Sequence, residues 1–270
     1  MPKYLKSLQE IDQIRLEHGN TTIRRKHENV DRISVPDNDS IVPVCHLAYF
    51  MPFTQKDNDE PLLSMGSYQG AYAVALAAEH LNSGNGSIVD EVQGLNDRCN
   101  IKFSLEMFDT KGLQTVAVDR VIEVTSREQY LPCAFLGAAY SSVSIPMSII
   151  SGLRGYPQLS AFSTSSDLNN KAVYPLFGRT ITSDEGTAVP LVNYFNDVLK
   201  IKYLAVVYMD DAYGISYSRG ISDAAKIEAP DMVIKKIEYV KASGDTVKEN
   251  AARVIEALKE TKVRLLTRTV

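Results

Sequence analysis

The sequence contains no tryptophan and only three cysteines, Cys45, Cys99 and Cys133, among 270 residues. Three scattered thiols are too few for a disulfide scaffold or a cysteine-rich zinc site. Cys45 lies in an apolar run, where a free buried thiol is the expected state, and a Cys99–Cys133 bridge is left open for an extracellular domain. No stretch approaches the roughly 18 consecutive apolar residues that a membrane-spanning helix requires. Basic residues are not in excess, since 29 Lys and Arg against 33 Asp and Glu give a net charge of −4. Nucleic acid is therefore not an expected partner, because phosphate binding needs a basic face. Histidine is scarce, and His18, His27, His46 and His80 all lie in the N-terminal third of the chain. With no GxSxG elbow either (the nearest serine is Ser216 in GISYS), a Ser–His–Asp hydrolase has little support. No GxGxxG follows the first strand and no GxxxxGK[ST] loop exists, so no nucleotide cofactor is expected.

What remains is an ordinary globular composition, 44% hydrophobic and 23% charged. Residues 1 to 40 differ from the rest and read as a polar extension. They carry Arg24, Arg25, Lys26 and His27 together, a short helical pattern from Tyr4 to Leu16, and a linker of Pro36, Asp37, Asn38 and Asp39. The apolar core of a secretory signal peptide is absent from this segment. Sequons occur at Asn20, Asn38 and Asn85 and leave the compartment open.

From Ile41 onward strands and helices alternate. Strands are predicted at Ile41–Phe50, Ile101–Phe108, Cys133–Gly137, Tyr156–Ala161 and Leu176–Thr180. Between them, the helical spacing of apolar residues marks Tyr68–Leu81, Leu113–Val124 and Ser142–Leu153. A second series follows: helix Thr187–Leu199, strand Ile201–Met209, helix Ile215–Ile227, strand Met232–Tyr239, helix Val247–Leu258 and strand Val263–Leu266. Strands separated by helices of this length imply right-handed βαβ units and parallel sheets. The expected fold is α/β, with two Rossmann-like lobes over residues 41–182 and 183–270.

Ligands in such folds bind beyond the carboxyl ends of strands. Asp210 and Asp211 end a strand, where an acidic pair can hold magnesium. Neither a further carboxylate on a neighbouring strand nor a phosphate-binding lysine supports them, so no metal is expected and a polar turn is the simpler reading. More informative is Gly137-Ala-Ala-Tyr-Ser141-Ser142-Val-Ser144, which sets hydroxyls and unpaired amides at a helix start. That start suits either an anion or a plain serine cap.

The stretch LGAAYSSVSIPMSIISGLRGYPQLSAFSTSSDLNNKAVYPLFGRTITSD, followed by YLAVVYMDDAYG, resembles the receptor ligand-binding region of type I periplasmic-binding-protein-like proteins. Bacterial branched-chain amino-acid binding proteins, natriuretic-peptide receptor ectodomains and class C G-protein-coupled receptors share this pattern. The metabotropic glutamate and GABA-type receptors are the nearest in character. The matching features are SSVS, the Pro157-Gln158 pair, the Ser/Thr-rich turn ending in Asp167-Leu168, Tyr174 before Phe177 and Arg179, and the Asp-x-Tyr-Gly turn at 211–214. The resemblance implies a bilobed clamshell that closes on a small ligand without catalysis.

It assigns Ser141, with Ser142 beside it, to a ligand's α-carboxylate. Thr164 falls to the ligand's backbone groups, Asp184 to its ammonium, and Tyr213 to a covering aromatic face. Hydroxyls for a carboxylate, a carboxylate for an ammonium and a ring over the cation form a coherent set. Each residue also has a local reading: turn chemistry for Thr164, a helix cap for Asp184, a core aromatic for Tyr213.

The expected function is thus a sensor domain for an amino acid or similar zwitterion, on the extracellular side of the cell membrane. A non-binding dimerisation module of the same fold, pairing through the first lobe, is the alternative. The pattern further implies a fragment, with the second lobe incomplete and membrane attachment through a missing part of the parent receptor.

Overall fold

The computed structural model describes residues 32–34, 41–57, 60–239, 245–261 and 266–268. The helical pattern at Tyr4–Leu16 and the sequons at Asn20 and Asn38 lie outside these residues. The chain divides into two compact units. One comprises the residues up to Ala139 with Val143–Ser160 and Pro175–Gly178; the other comprises Tyr140–Ser142, Ala161–Tyr174 and the residues from Arg179 onward.

In the first unit, β2 (Ile41–Met51) is an interior strand. Along one edge it pairs in parallel with β5 (Lys102–Asp109), and along the other with β6 (Pro132–Gly137). The sheet continues through β7 (Gln158–Ser160) and β8 (Phe177–Arg179), giving a five-stranded parallel sheet in the order β5-β2-β6-β7-β8. Successive side chains of β2 point to opposite faces. Ala48 and Phe50 therefore join a core with Phe108, Phe135, Val143, Met147 and the helix α3 (Gln114–Thr125) residues Ala117 and Val121. Tyr49 and Met51 face the other way, onto Phe53 and Ala71 of α1 (Met65–Ser83). Burial on both faces is why β2 reads as an almost unbroken apolar run. Rings set the core's geometry, with Phe50 stacked on Phe108 at 4.8 Å between centroids and edge-on to Phe135 at 5.4 Å.

Three features were not legible in the sequence. Residues of the polar extension form β1 (Arg32–Ser34), antiparallel to the start of β2. A two-stranded hairpin, β3 (Thr54–Asp57) and β4 (Glu60–Leu63), lies in the connection between β2 and α1. A single-turn helix, α2 (Leu95–Arg98), precedes β5.

The cysteine expectations are overturned. Cys45 is bonded to Cys133, across Cα atoms 5.4 Å apart, and Cys99 is the free thiol. Sheet order explains the pairing, because β2 and β6 are neighbours although 88 residues separate the two cysteines. The register shifts between His46 and Leu47, leaving Cys133 between the residues that face them.

In the second unit β9 (Tyr203–Met209) is flanked in parallel by β10 (Val233–Tyr239) and β11 (Leu266–Arg268). Leu204 and Val206 face α5 (Asp184–Asn193) and α6 (Ala212–Glu228), whose buried residues include Ala188, Val192, Ile221, Ala224 and Ala225. Ala205 faces the other way, toward Ile237 and Val254 of α7 (Asp245–Thr261). Small residues let α5 and α6 approach closely: a Cβ on Gly220 would stand 3.4 Å from Ala188 Cβ. The expected helix Thr187–Leu199 starts earlier and ends in a π-helical turn, Tyr194–Val198. Pro190 sits inside α5, where it removes one backbone donor from the ladder. The architecture is α/β, as the alternating pattern predicts.

Candidate functional site

Ser141, Ser142, Thr164, Asp184 and Tyr213 all belong to the second unit, and loop 161–174 is the element that gathers most of them. Ser141 opens α4 (Ser141–Leu153), and its Oγ accepts the Ser165 amide at 3.1 Å. Ser165 in turn caps a short 3₁₀ turn, Ser166–Asn169. The loop is also braced from the start of α5, where the Asp184 amide donates to Thr164 O at 2.9 Å and the Glu185 amide to Ser166 Oγ at 3.2 Å. From α6, Ser216 Oγ accepts the Ser166 amide at 2.8 Å.

Arg179 completes the frame. Its guanidinium donates to Ser163 O at 3.1 Å, to Ser165 O at 3.0 Å and to Asn169 Oδ1. Burial lowers its pKa, and the Asp184 charge opposes that shift. The Arg219–Asp167 ion pair at 2.7 Å is half exposed on both sides, so it adds little to stability.

Asp184 is the unusual residue. It is 1% exposed and occupies the first position of α5, with Ser183, not Asp184, as the cap: Ser183 Oγ accepts the Gly186 amide at 3.2 Å. Burial pushes the Asp184 carboxyl above the usual carboxylate range. The hydroxyls of Thr164 and Ser216 and the charge of Arg179 pull it back, while Asp167 adds to the rise. Although these hydroxyls lie near enough to favour the anion, buried Asp184 Oδ2 and Thr164 Oγ1 complete no hydrogen bond of ordinary geometry. Unsatisfied buried polar atoms are uncommon, and each costs about 1–3 kcal/mol.

Tyr213 lies in the first turn of α6, whose cap is Asp211: its carboxylate accepts the Gly214 amide at 2.8 Å. That capping accounts for Asp211, half of the acidic pair considered for magnesium. Among the described residues no group of three His, Cys, Asp or Glu is arranged to hold a metal. The Tyr213 phenol is half-buried, and burial followed by the Asp184 charge raises its pKa. Its ring lies 5.9 Å from that of Tyr217. Ser142 is half-buried in the first turn of α4, and among the described residues no hydrogen bond joins it to the other four. His46 stands apart in the first unit, hydrogen-bonded to Ser104 and edge-on to Tyr130 at 5.4 Å.

Ser165 and Ser183 are not among the residues singled out by the sequence pattern, and Ser216 stands out there only as a serine outside a GxSxG elbow. The legible signal was the hydroxyl run Ser163-Thr164-Ser165-Ser166, whose density exceeds what one turn needs.

Residues 89–265 match the family described as the receptor family ligand-binding region. The metabotropic glutamate receptor of Drosophila melanogaster is 27% identical over 148 residues, 46% of this chain and 15% of that receptor. Metabotropic glutamate receptor 4 of Rattus norvegicus is 31% identical over 144 residues, 45% of this chain and 16% of the relative. The extracellular calcium-sensing receptor of Mus musculus is 24% identical over 203 residues, covering 72% of this chain and 18% of its own. The matched segments thus span less than a fifth of each of these relatives. With the family match extending over more than half of the sequence, this chain belongs to the receptor family ligand-binding region.

Proposed function

We propose that the cluster around loop 161–174 binds the headgroup of an amino acid or a similar small zwitterion, as part of a receptor domain exposed on the extracellular side of the cell. One observation carries this reading: a buried carboxylate, Asp184, keeps an unpartnered oxygen beside the unpartnered hydroxyl of Thr164. An ammonium group supplies several donors on one compact charge, and one bound here would satisfy both atoms. Ser141, Ser142 and the amides at the start of α4 offer hydroxyls and N–H groups to a carboxylate. The Tyr213 ring, already within reach of the Asp184 charge, provides an aromatic surface for the cation. The relatives named for glutamate make an α-amino acid the first ligand to try. Nothing in this arrangement pairs a nucleophile with a base, so the reading is binding without chemistry.

Because Asp184 is 1% exposed, a ligand must part the side chains over it. Association therefore waits on that rearrangement and is slower than encounter alone would make it. Calorimetric titration of the common amino acids, glutamate first, provides the test. Binding is expected, with Asp184→Asn weakening it about 10- to 100-fold, or about 1.4 kcal/mol for each factor of ten. No heat at millimolar ligand from the folded protein, or equal affinity in Asp184→Asn, would overturn the proposal.

A further inference from the structure

We propose that Asn85 is an N-glycosylation site, carrying an oligosaccharide on the loop between α1 and α2. The sequon is Asn85-Gly86-Ser87, and both Asn85 and Ser87 are exposed. The loop is well defined: Gly84 ends α1 in the left-handed conformation with φ 66°. The Gly94 amide donates to Gly84 O at 2.9 Å. Behind it, the Gln93 side chain accepts the Gly86 amide at 3.1 Å, so the buried glycine anchors the loop and its neighbours face solvent.

Within the sequon, Asn85 Oδ1 accepts the Ser87 amide at 2.9 Å. That bond turns the carboxamide oxygen toward the chain and leaves Nδ2, the atom to be modified, directed away from it. Only three residues form this turn, so the same geometry is available in the nascent chain before the domain folds. Next to the sequon, Ile88 and Val89 are 67% and 49% exposed. A bulky hydrated glycan at Asn85 would shield this apolar surface. The Cys45–Cys133 disulfide in the same unit independently fits the oxidising compartment in which such transfer occurs.

The co-reactant is a polyprenyl pyrophosphate-linked oligosaccharide. Asn85 Nδ2 forms a bond to the anomeric carbon of the first sugar while that carbon's bond to the pyrophosphate oxygen breaks. The lipid pyrophosphate leaves, and the amide proton passes to it or to solvent. No oxidant or reductant is needed.

The test is expression of the full chain behind a cleavable secretory leader in eukaryotic cells, followed by peptide mapping of the secreted, folded fraction. The added leader makes the result independent of the amino-acid-binding reading and of where the natural receptor resides. The expected result is a glycosidase-sensitive mass on the Asn85 peptide, converting that residue to Asp on enzymatic release. This mass is lost in Asn85→Gln and Ser87→Ala and kept in Ser87→Thr. Secreted protein with unmodified Asn85 would overturn the proposal, as would a glycan that survives Ser87→Ala.

Discussion

Asp184 places a carboxylate where its charged form is costly, and its titration follows from that. Burial raises its folded-state pKa above the unfolded value, so the folded state holds the proton to higher pH than the unfolded chain does. The stability Asp184 contributes is fully present below the ordinary carboxylate range and is lost as pH rises through the raised value. Replacing it with Asn removes the titration while keeping nearly the same shape. Asp184→Asn should therefore melt a few degrees above the parent at neutral pH, given about 2–4 °C for each kcal/mol in a chain of this size. That gap should close on acidification below the carboxylate range. Differential scanning calorimetry across pH checks it, and a pH-independent gap would show that the carboxylate is already fully compensated. The expected price of ligand affinity is then visible as a stability gain in the ligand-free variant.

At the scale of elements, the β9–α6 junction depends on Gly214. A Cβ there would lie 2.3 Å from Met209 O and 2.8 Å from Met209 N, so the first turn of α6 can approach the strand end only with glycine. Gly214→Ala should destabilise the protein by about 1–3 kcal/mol, the usual cost of forcing atoms into a filled space. Urea unfolding would measure it, and an unchanged midpoint would mean the junction relaxes freely. Asp211→Ala removes the cap on the same turn and should cost about 1 kcal/mol in the same assay.

This junction was legible in the sequence because Asp-x-Tyr-Gly is a local pattern, in which the capping side chain and the amide it accepts lie three residues apart. The alternating strands and helices were legible for the same reason, since apolar periodicity is local. By contrast, β1 is only three residues long, Arg32–Ser34, too short for an alternation of apolar and polar residues to show. Ser183 took the cap expected of Asp184 because adjacent Ser and Asp are both good caps and spacing does not choose between them. The frame around Thr164 joins Arg179, Ser141 and Ser216, and such long-range polar bonds have no sequence period at all.

For the molecule as a whole, the Cys45–Cys133 bond shows the same contrast between local pattern and long-range closure, and it supports the last prediction. Each sheet is covered on both faces and carries its own apolar core. The first unit adds a covalent tie between interior strands. Closing a loop of 88 residues removes about 4–5 kcal/mol of unfolded-chain entropy in the chain-entropy model, while losses on removing native disulfides are more often about 2–5 kcal/mol. In native, unreduced protein a thiol reagent should label one cysteine, Cys99, and after reduction and unfolding it should label all three. The Cys45→Ser, Cys133→Ser double variant should lower the free energy of unfolding by about 2–4 kcal/mol. Hydrogen exchange at the Phe50 and Phe135 amides, which lie on the bonded strands, would locate that loss in the first unit. Three reactive thiols in the native protein would exclude the bond. Unchanged exchange in the double variant would show that the packed rings of Phe50, Phe108 and Phe135 hold those strands in register without it.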